Sequence, residues 1–353
     1  MKKLIIIYFF SIFTSLAVSQ TVKYGNDFLQ IGAGARERAM GGNACSSVGG
    51  AVAGYVNPAL MLNALTSIDL VLLHENYFAS MADYDFGAVS YKPDTVSAFG
   101  FSFLRFGVDD IQNTLDLMDQ NGNIDYSRIS YFSTADYAFL FSFARQLPFR
   151  GFSAGANVKI IYRHQGDFAS AYGFGLDLAA HYQKGNFSAC IMMRDITGTF
   201  DFWNVNSDKF DSVFVATGNS VPENSVEITA PSVNISASYI FYIRSFSILA
   251  ELGLSSWFDG KRSVLISSDF VSANPNAGIE LSYNQLCFLR MGISDFQINR
   301  EATMSNSFSC VPSVGAGLQF KRWSVDYTFA AANKNTYDYK CNLFSFRLKL
   351  GKM

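Results

Sequence analysis

From Ser67 to the end of the chain, apolar residues alternate with small or polar ones at a period of two, and that period dictates β-strands. Phe139, Phe141 and Phe143 alternate with Ala138, Leu140, Ser142 and Ala144, and Phe152, Ala154, Ala156, Val158, Ile160 and Tyr162 alternate with Ser153, Gly155, Asn157, Lys159, Ile161 and Arg163. Near the end, Phe344, Phe346, Leu348 and Leu350 alternate with Ser345, Arg347 and Lys349. In a soluble sandwich the exposed face is the charged one and the buried face is Val, Ile and Leu. Here one face is aromatic and aliphatic over about ten residues while the other mixes Gly, Ala and Ser with single charges, the lipid-out, lumen-in pattern of an outer-membrane barrel. The expected class is therefore all-β, a transmembrane antiparallel up-and-down barrel.

Fourteen segments carry the pattern: 67–74, 85–92, 96–107, 134–146, 152–164, 171–182, 186–194, 229–243, 245–254, 275–283, 285–293, 311–320, 322–331 and 342–350. Their connections alternate in length. Short turns fall at Lys92–Thr95, Leu147–Gly151, Gln183–Gly185, Arg244, Asn284 and Lys321, and long loops at 75–84, 108–133, 165–170, 195–228, 255–274, 294–310 and 332–341. An even strand number with short periplasmic turns and long external loops is the bacterial barrel register. Closure also removes the edges that an open sheet would expose. Within the loop 255–274, Ser263–Val271 reads as a hairpin arm.

Only 16% of the 353 residues are charged, below the roughly 25% usual in soluble domains, and the net charge is −2. No basic run exceeds two residues, so nucleic acid is not an expected partner. No internal stretch has the 18 or more apolar residues that a membrane helix needs. At the start, Lys2 and Lys3 precede an apolar run from Leu4 to Val18, and Ala17-Val18-Ser19 offers a small-residue cleavage site before Gln20. Residues 1–19 are thus expected to be a signal peptide, 20–66 a plug and 67–353 the barrel, with outer-membrane lipid around it. Aromatic residues near segment ends (Tyr91, Phe152, Tyr162, Tyr182, Tyr283, Phe320 and Trp323) suit the interfacial girdle. The lumen is expected to hold Asp69, Arg105, Asp136, Lys159, Arg163, Asp177, Glu251, Arg290, Asp326, Arg347 and Lys349, either as a polar conduit or as ion pairs holding barrel and plug together.

Residues 21–66 do not alternate. They are rich in Gly and Ala, which suits a chain packed closely on a barrel wall. Asn57-Pro58 can open a helical turn, with Asn57 as cap. The stretch Phe28-Leu29-x-Ile31-Gly32-x-Gly34-Ala35-Arg36, with Ala39-Met40-Gly41-Gly42 after it and Asn57-Pro58-Ala59 beyond, resembles the N-terminal signature of the PorV/PorQ family. That family comprises outer-membrane barrels of Bacteroidetes-type bacteria, related to the FadL long-chain fatty-acid transporters. The resemblance spans about 35 residues in motif; strand number, loop alternation and length agree over the rest. It implies a role in type IX secretion, with translocon or attachment-complex proteins and the signal domains of secreted cargo as partners. The corresponding plug residues are Gly32, Gly34, Arg36, Met40, Gly41, Asn57, Pro58 and Ala59.

Other motifs carry less. Gly32-Ala33-Gly34-Ala35-Arg36-Glu37 lacks the third Gly of a dinucleotide fingerprint and follows no strand. Asp119-x-Asn121-Gly122-Asn123-x-Asp125 suggests a solvated loop or a weak Ca²⁺ site without the closing Glu. His74, His164 and His181 are far apart and only His181 faces the lumen, so neither a metal site nor a triad is expected, and no cofactor. Cys45, Cys190, Cys287, Cys310 and Cys341 match no zinc spacing and read as thiols, Cys310 and Cys341 being the one pair that neighbouring loops could bridge. The expected function is non-enzymatic protein binding through external loops 108–133, 195–228 and 255–274, where Phe200, Phe202, Trp203, Phe210, Phe214, Trp257 and Phe258 supply aromatic anchors. These rings could instead pack over the barrel mouth. The alternative is a FadL-like channel for hydrophobic small molecules, which requires an apolar lumenal pocket and a kink or opening in the wall, with Gly173/Gly175 and Gly315/Gly317 as candidate thin places; a purely structural barrel is the third possibility.

Overall fold

The computed structural model describes residues 25–42, 45–77, 80–115, 117, 123–209, 220, 222–300, 306–334 and 337–351. The strands are β1 (Ile68–Tyr77), β2 (Ala82–Tyr91), β3 (Ser97–Asn113), β4 (Ser130–Gln146), β5 (Phe152–Gln165), β6 (Ala169–Lys184), β7 (Phe187–Arg194), β8 (Thr199–Val205), β9 (Ser225–Thr229), β10 (Ser232–Ile243), β11 (Phe246–Trp257), β12 (Ile266–Ser267), β13 (Ser272–Tyr283), β14 (Cys287–Arg300), β15 (Asn306–Gln319), β16 (Trp323–Lys334) and β17 (Tyr337–Leu350). All form one antiparallel sheet, and β17 pairs with β1 from Ile68↔Leu350 to Asn76↔Asn342, so the sheet closes. The closed wall has fourteen strands, because β8 and β9 extend β7 and β10 and the two-residue β12 only leans on β13. Every expected segment is present, and several run two to seven residues further outward than their alternation shows. Ser263–Val271 pairs only at Ile266–Ser267, so the expected hairpin arm shrinks to one short bridge.

The lipid face is built from cross-strand aromatic pairs. Phe99–Phe143, Phe101–Phe141 and Phe103–Phe139 stack up the β3–β4 ladder at centroid separations of 5.2, 5.2 and 5.3 Å, the geometry in which neighbouring rings attract. Periplasmic-end pairs Phe152–Tyr182, Phe246–Tyr283 and Phe320–Trp323 form a girdle at 4.6, 5.0 and 4.2 Å. The turn after Tyr283 is tight: three residues close the Tyr283↔Cys287 pair, and Asn284 and Gln285 take consecutive φ values of 50° and 54°.

Arg105 is not in the lumen. It follows Phe99, Phe101 and Phe103 in parity, faces outward, and pairs with Asp85 at 3.4 Å and Asp109 at 3.6 Å, while His74 Nδ1 lies 2.8 Å from Asp85. The charge of Arg105 argues for the lumen, but strand parity is geometric and overrides it.

Inside, the described residues 25–42 and 45–66 fill the lumen as a plug: a 3-10 turn at Asp27–Gln30, helix α1 (Ala35–Ala39), helix α2 (Ala51–Val56) and a second 3-10 turn at Pro58–Asn63. Neither helix is long enough to stand alone in water. Burial holds them: Ala33, Ala35, Ala39, Ala53, Ala59, Leu60 and Met61 are fully enclosed. Residues 1–24, the expected export signal among them, lie outside the described residues.

Candidate functional site

The plug seats on the wall through backbone as much as through side chains. Gly41 adopts φ +87°, and a Cβ added there would come within 2.8 Å of the Ala277 carbonyl oxygen and 2.9 Å of that of Ile293. Across from it, Gly278 and Gly292 have no side chain where the backbone of Met40 and Gly41 lies, and Gly155 does the same for Pro58 and Ala59. Replacing Gly278 or Gly292 with Val should weaken docking by about 1–3 kcal/mol, the cost of overpacking. Trypsin should then cut after Arg36 and Arg38 in a barrel whose heat-modifiable mobility is unchanged; continued protection in both variants would mean that this contact does not seat the plug.

Charges finish the seating. Arg36 donates from Nε to Glu280 Oε2 at 2.8 Å and from Nη1 to the Ser47 carbonyl at 3.2 Å, and Glu280 also accepts from Arg290 Nε at 2.6 Å. Glu251 accepts from the Ser46 backbone N–H at 2.9 Å and the Ser46 hydroxyl at 2.6 Å. Arg347 pairs with Asp69 at 2.7 Å and donates to the Gly49 carbonyl at 2.8 Å. Asn57 caps the second 3-10 turn, accepting from Ala59 N–H at 3.1 Å, while its amide donates to the Cys45 carbonyl at 3.1 Å. Burial raises the Glu37 carboxyl above its ordinary range, with Arg36 beside it pulling the other way. Most of the lumenal charges are thus spent on plug and wall rather than facing an open channel. Gly315 makes room for Ala39, and Gly317 for Arg290 and Asp326, so that pair is filled and does not thin the wall.

The cysteines behave differently from the expectation. Cys45 in the plug and Cys190 in β7 form a disulfide with Cα atoms 6.4 Å apart, whereas Cys287, Cys310 and Cys341 are not disulfide-bonded. Residues 145 apart in sequence meet because the plug lies against β7. Spacing along the chain carries no trace of that contact.

Among the described residues the wall ladder breaks register most widely where β7 passes into β8, and one bond, from the Ile196 N–H to the Leu176 carbonyl at 3.0 Å, still crosses the break. β6 pairs with β7 up to Leu178↔Met193 and with β8 from Phe174↔Phe200, so six residues (194–199) face three (175–177). On the other side β7 pairs with β10 up to Arg194↔Ser232 and β8 with β9 from Thr199↔Thr229, so four residues (195–198) face two (230–231). Asp195 and Gly198 turn the chain with φ of 54° and 72°, and Pro231 lacks the N–H that a continuous ladder would use. The loop expected at 195–228 is therefore partly wall. Asp195, Gly198 and Pro231 were its visible signal, as turn residues facing each other across a hairpin.

Buried charge holds the break. Lys159 Nζ lies 2.8 Å from Asp177 and 2.6 Å from Asp195, and the Asp195 N–H donates to Asp177 Oδ1 at 2.9 Å. Gly173 and Gly175 sit opposite, their space taken by Asp201 and by Thr199 with Lys159. The plug touches both lips: Asn26 donates to Asp201 at 2.6 Å and Thr229 at 2.8 Å above, and Arg194 donates to the Tyr55 carbonyl at 3.1 Å below. Beside the lower lip is a cavity of about 130 Å³, floored by plug residues including Gln30, Arg38 and Tyr55 and walled by the external halves of β10, β11, β13 and β14.

The loop aromatics divide. Phe202 and Phe258 are exposed. Trp203 donates to Glu227 at 2.9 Å under Arg163, and Trp257 donates to Gln30 at 2.6 Å with Arg262 over its ring, so both are engaged at the lumen side. Phe200 is half-buried, and Phe210, Phe214 and Asp119 lie outside the described residues. Asp125 accepts from Ser127 N–H at 3.0 Å as a local cap, and among the described residues no three potential metal ligands converge.

No family model matches this sequence, and no curated protein does. Solved structures do. The CymD monoaromatic hydrocarbon channel superposes with a TM-score of 0.60 at 13% identity, covering 92% of this chain and 99% of that one. The toluene transporter TbuX of Ralstonia pickettii gives 0.55 at 13% identity over 92% and 100%, and TodX of Pseudomonas putida 0.54 at 12% over 90% and 98%. At such identity the likeness establishes the fold. The chain is a fourteen-stranded bacterial outer-membrane β-barrel with the fold shared by these solved channels and transporters.

Proposed function

We propose that this protein is an exported, plugged outer-membrane channel, in which a small molecule enters from outside, rests against the plug and leaves through the break between β6 and β10. The transporters with the same fold carry small molecules by their names, but the observation that supports the reading here is the wall break at Asp195–Gly198 with a cavity at its lower lip. The plug is fastened at Cys45 and by the bonds of Arg36 and Arg347, so a route that leaves it in place is the economical one. No covalent chemistry is asked of the chain, and residues 1–19 would serve as its export signal. Proteoliposomes holding the oxidised protein should take up a labelled small solute faster than empty vesicles; uptake equal to empty vesicles for every solute tried would end the channel reading.

A second reading rests on the residues 28–42 and 57–59 and on the exposed rings of Phe202 and Phe258. In it the external segments bind type IX translocon or attachment-complex proteins, or the signal domains of secreted cargo. A pull-down of the tagged barrel from detergent-solubilised outer membranes decides: such proteins in the eluate support it, and a barrel recovered alone counts against it.

A further inference from the structure

The cavity beside the break does not have the chemistry of a hydrocarbon site. Carboxamides of Asn234, Asn274 and Asn276 line it together with hydroxyls of Ser232 and Ser294. Two guanidiniums, from Arg38 in the plug and Arg194 at the end of β7, also reach it. Arg194 donates to the Tyr55 carbonyl at 3.1 Å and stacks on the Tyr55 ring at 4.8 Å, and among the described residues it makes no ion pair. Among the described residues Arg38 has only a loose pair with Glu75 at 4.0 Å, and its buried Nε has no hydrogen-bond partner there. The buried Oδ1 of Asn274 has none either. Asp295 is the one acid on the lining.

An unspent guanidinium donor asks for an anionic oxygen, and an unspent amide oxygen asks for an O–H or N–H. A hydrocarbon seated here would leave both groups dry and unpaired, which lowers affinity by about tenfold or more per group. We propose that the cavity binds a small hydrophilic carboxylate that also carries hydroxyl groups, of the kind of a sugar acid, with its carboxylate between Arg38 and Arg194 and a hydroxyl donating to Asn274. This rests on the channel reading for its biological use but not for its chemistry. It gives the plug a second task, since Arg38 supplies half of the anion grip.

The test uses the intact, oxidised protein in detergent, with equilibrium dialysis of labelled glucuronate, glucose and toluene, and uptake of the same solutes into proteoliposomes. Glucuronate should bind at least tenfold tighter than glucose, its neutral counterpart, and toluene should not compete. Arg194→Gln should weaken glucuronate at least tenfold and leave glucose unchanged, and Arg194→Lys should recover part of the loss. Heat-modifiable mobility of each variant checks its folding, and Asn274→Asp, which adds a negative charge to the lining of an anion site without changing shape, gives a second independent loss. Glucuronate bound while none of the three solutes is taken up keeps the cavity assignment and removes the channel. Toluene transported without any binding of glucuronate overturns the assignment and keeps the channel. Equal affinity for glucose and glucuronate also overturns it.

Discussion

Replacing Lys159 with Met is expected to destabilise the barrel by about 3–5 kcal/mol, the cost of stranding buried charge. Lys159 is 1% exposed, and it is the cation that Asp177 and Asp195 share at 2.8 and 2.6 Å. Methionine fills a similar volume, so packing is largely kept while two carboxylates lose their partner. The loss should appear as a lower urea midpoint in detergent and as unfolded material on unheated gels. Adding Asp177→Asn and Asp195→Asn to Lys159→Met should return most of it, because removing a buried set of charges together costs far less than breaking it. A Lys159→Met barrel within about 1 kcal/mol of the parent, the range of a surface ion pair, would show that these charges do not hold the wall break.

The second large effect concerns the Cys45–Cys190 disulfide. The loop it closes spans 145 residues, and loss of a native cross-link of this kind usually costs about 2–5 kcal/mol. Most wall ladders close without it, so the cost should fall on the plug. Cys45→Ser with Cys190→Ser, or reduction of the parent, is expected to expose the plug to trypsin and raise ionic conductance in planar bilayers, with the folded barrel band unchanged. Ser236 lies 3.2 and 3.5 Å from the two sulfurs and would accommodate the new hydroxyls, which makes serine the mild replacement. A plug equally protected with and without the bridge would assign its retention to the close backbone contacts at Gly278 and Gly292 and to the bonds of Arg36, Glu251 and Arg347.

The wall was legible because a barrel writes its two faces into the chain with a period of two, and because periplasmic turns are short. Phe139 to Phe143 and Phe344 to Leu350 needed no other information. Three features were hidden for physical reasons. The break at Asp195–Gly198 is a matter of register between β6, β7 and β10, and register is a relation between strands, although Asp195, Gly198 and Pro231 hinted at it. The Cys45–Cys190 contact follows from where the plug rests. The charge of Arg105 points to the lumen, while its parity with Phe103 sets it on the outer face. At the plug, the motif residues were readable as close-packing elements, but their partners Gly155, Gly278 and Gly292 emerge only from the seated structure.

A solute that leaves through the wall break should be stopped by a straightened wall. Deleting Ile196–Gly198 together with Pro231 leaves three residues facing three across β6 and one facing one across β10, which makes both ladders continuous. The variant, folded by its heat-modifiable mobility and with its disulfide intact, should bring labelled solute uptake into proteoliposomes down to the level of empty vesicles. Uptake undiminished through the continuous wall would contradict the route.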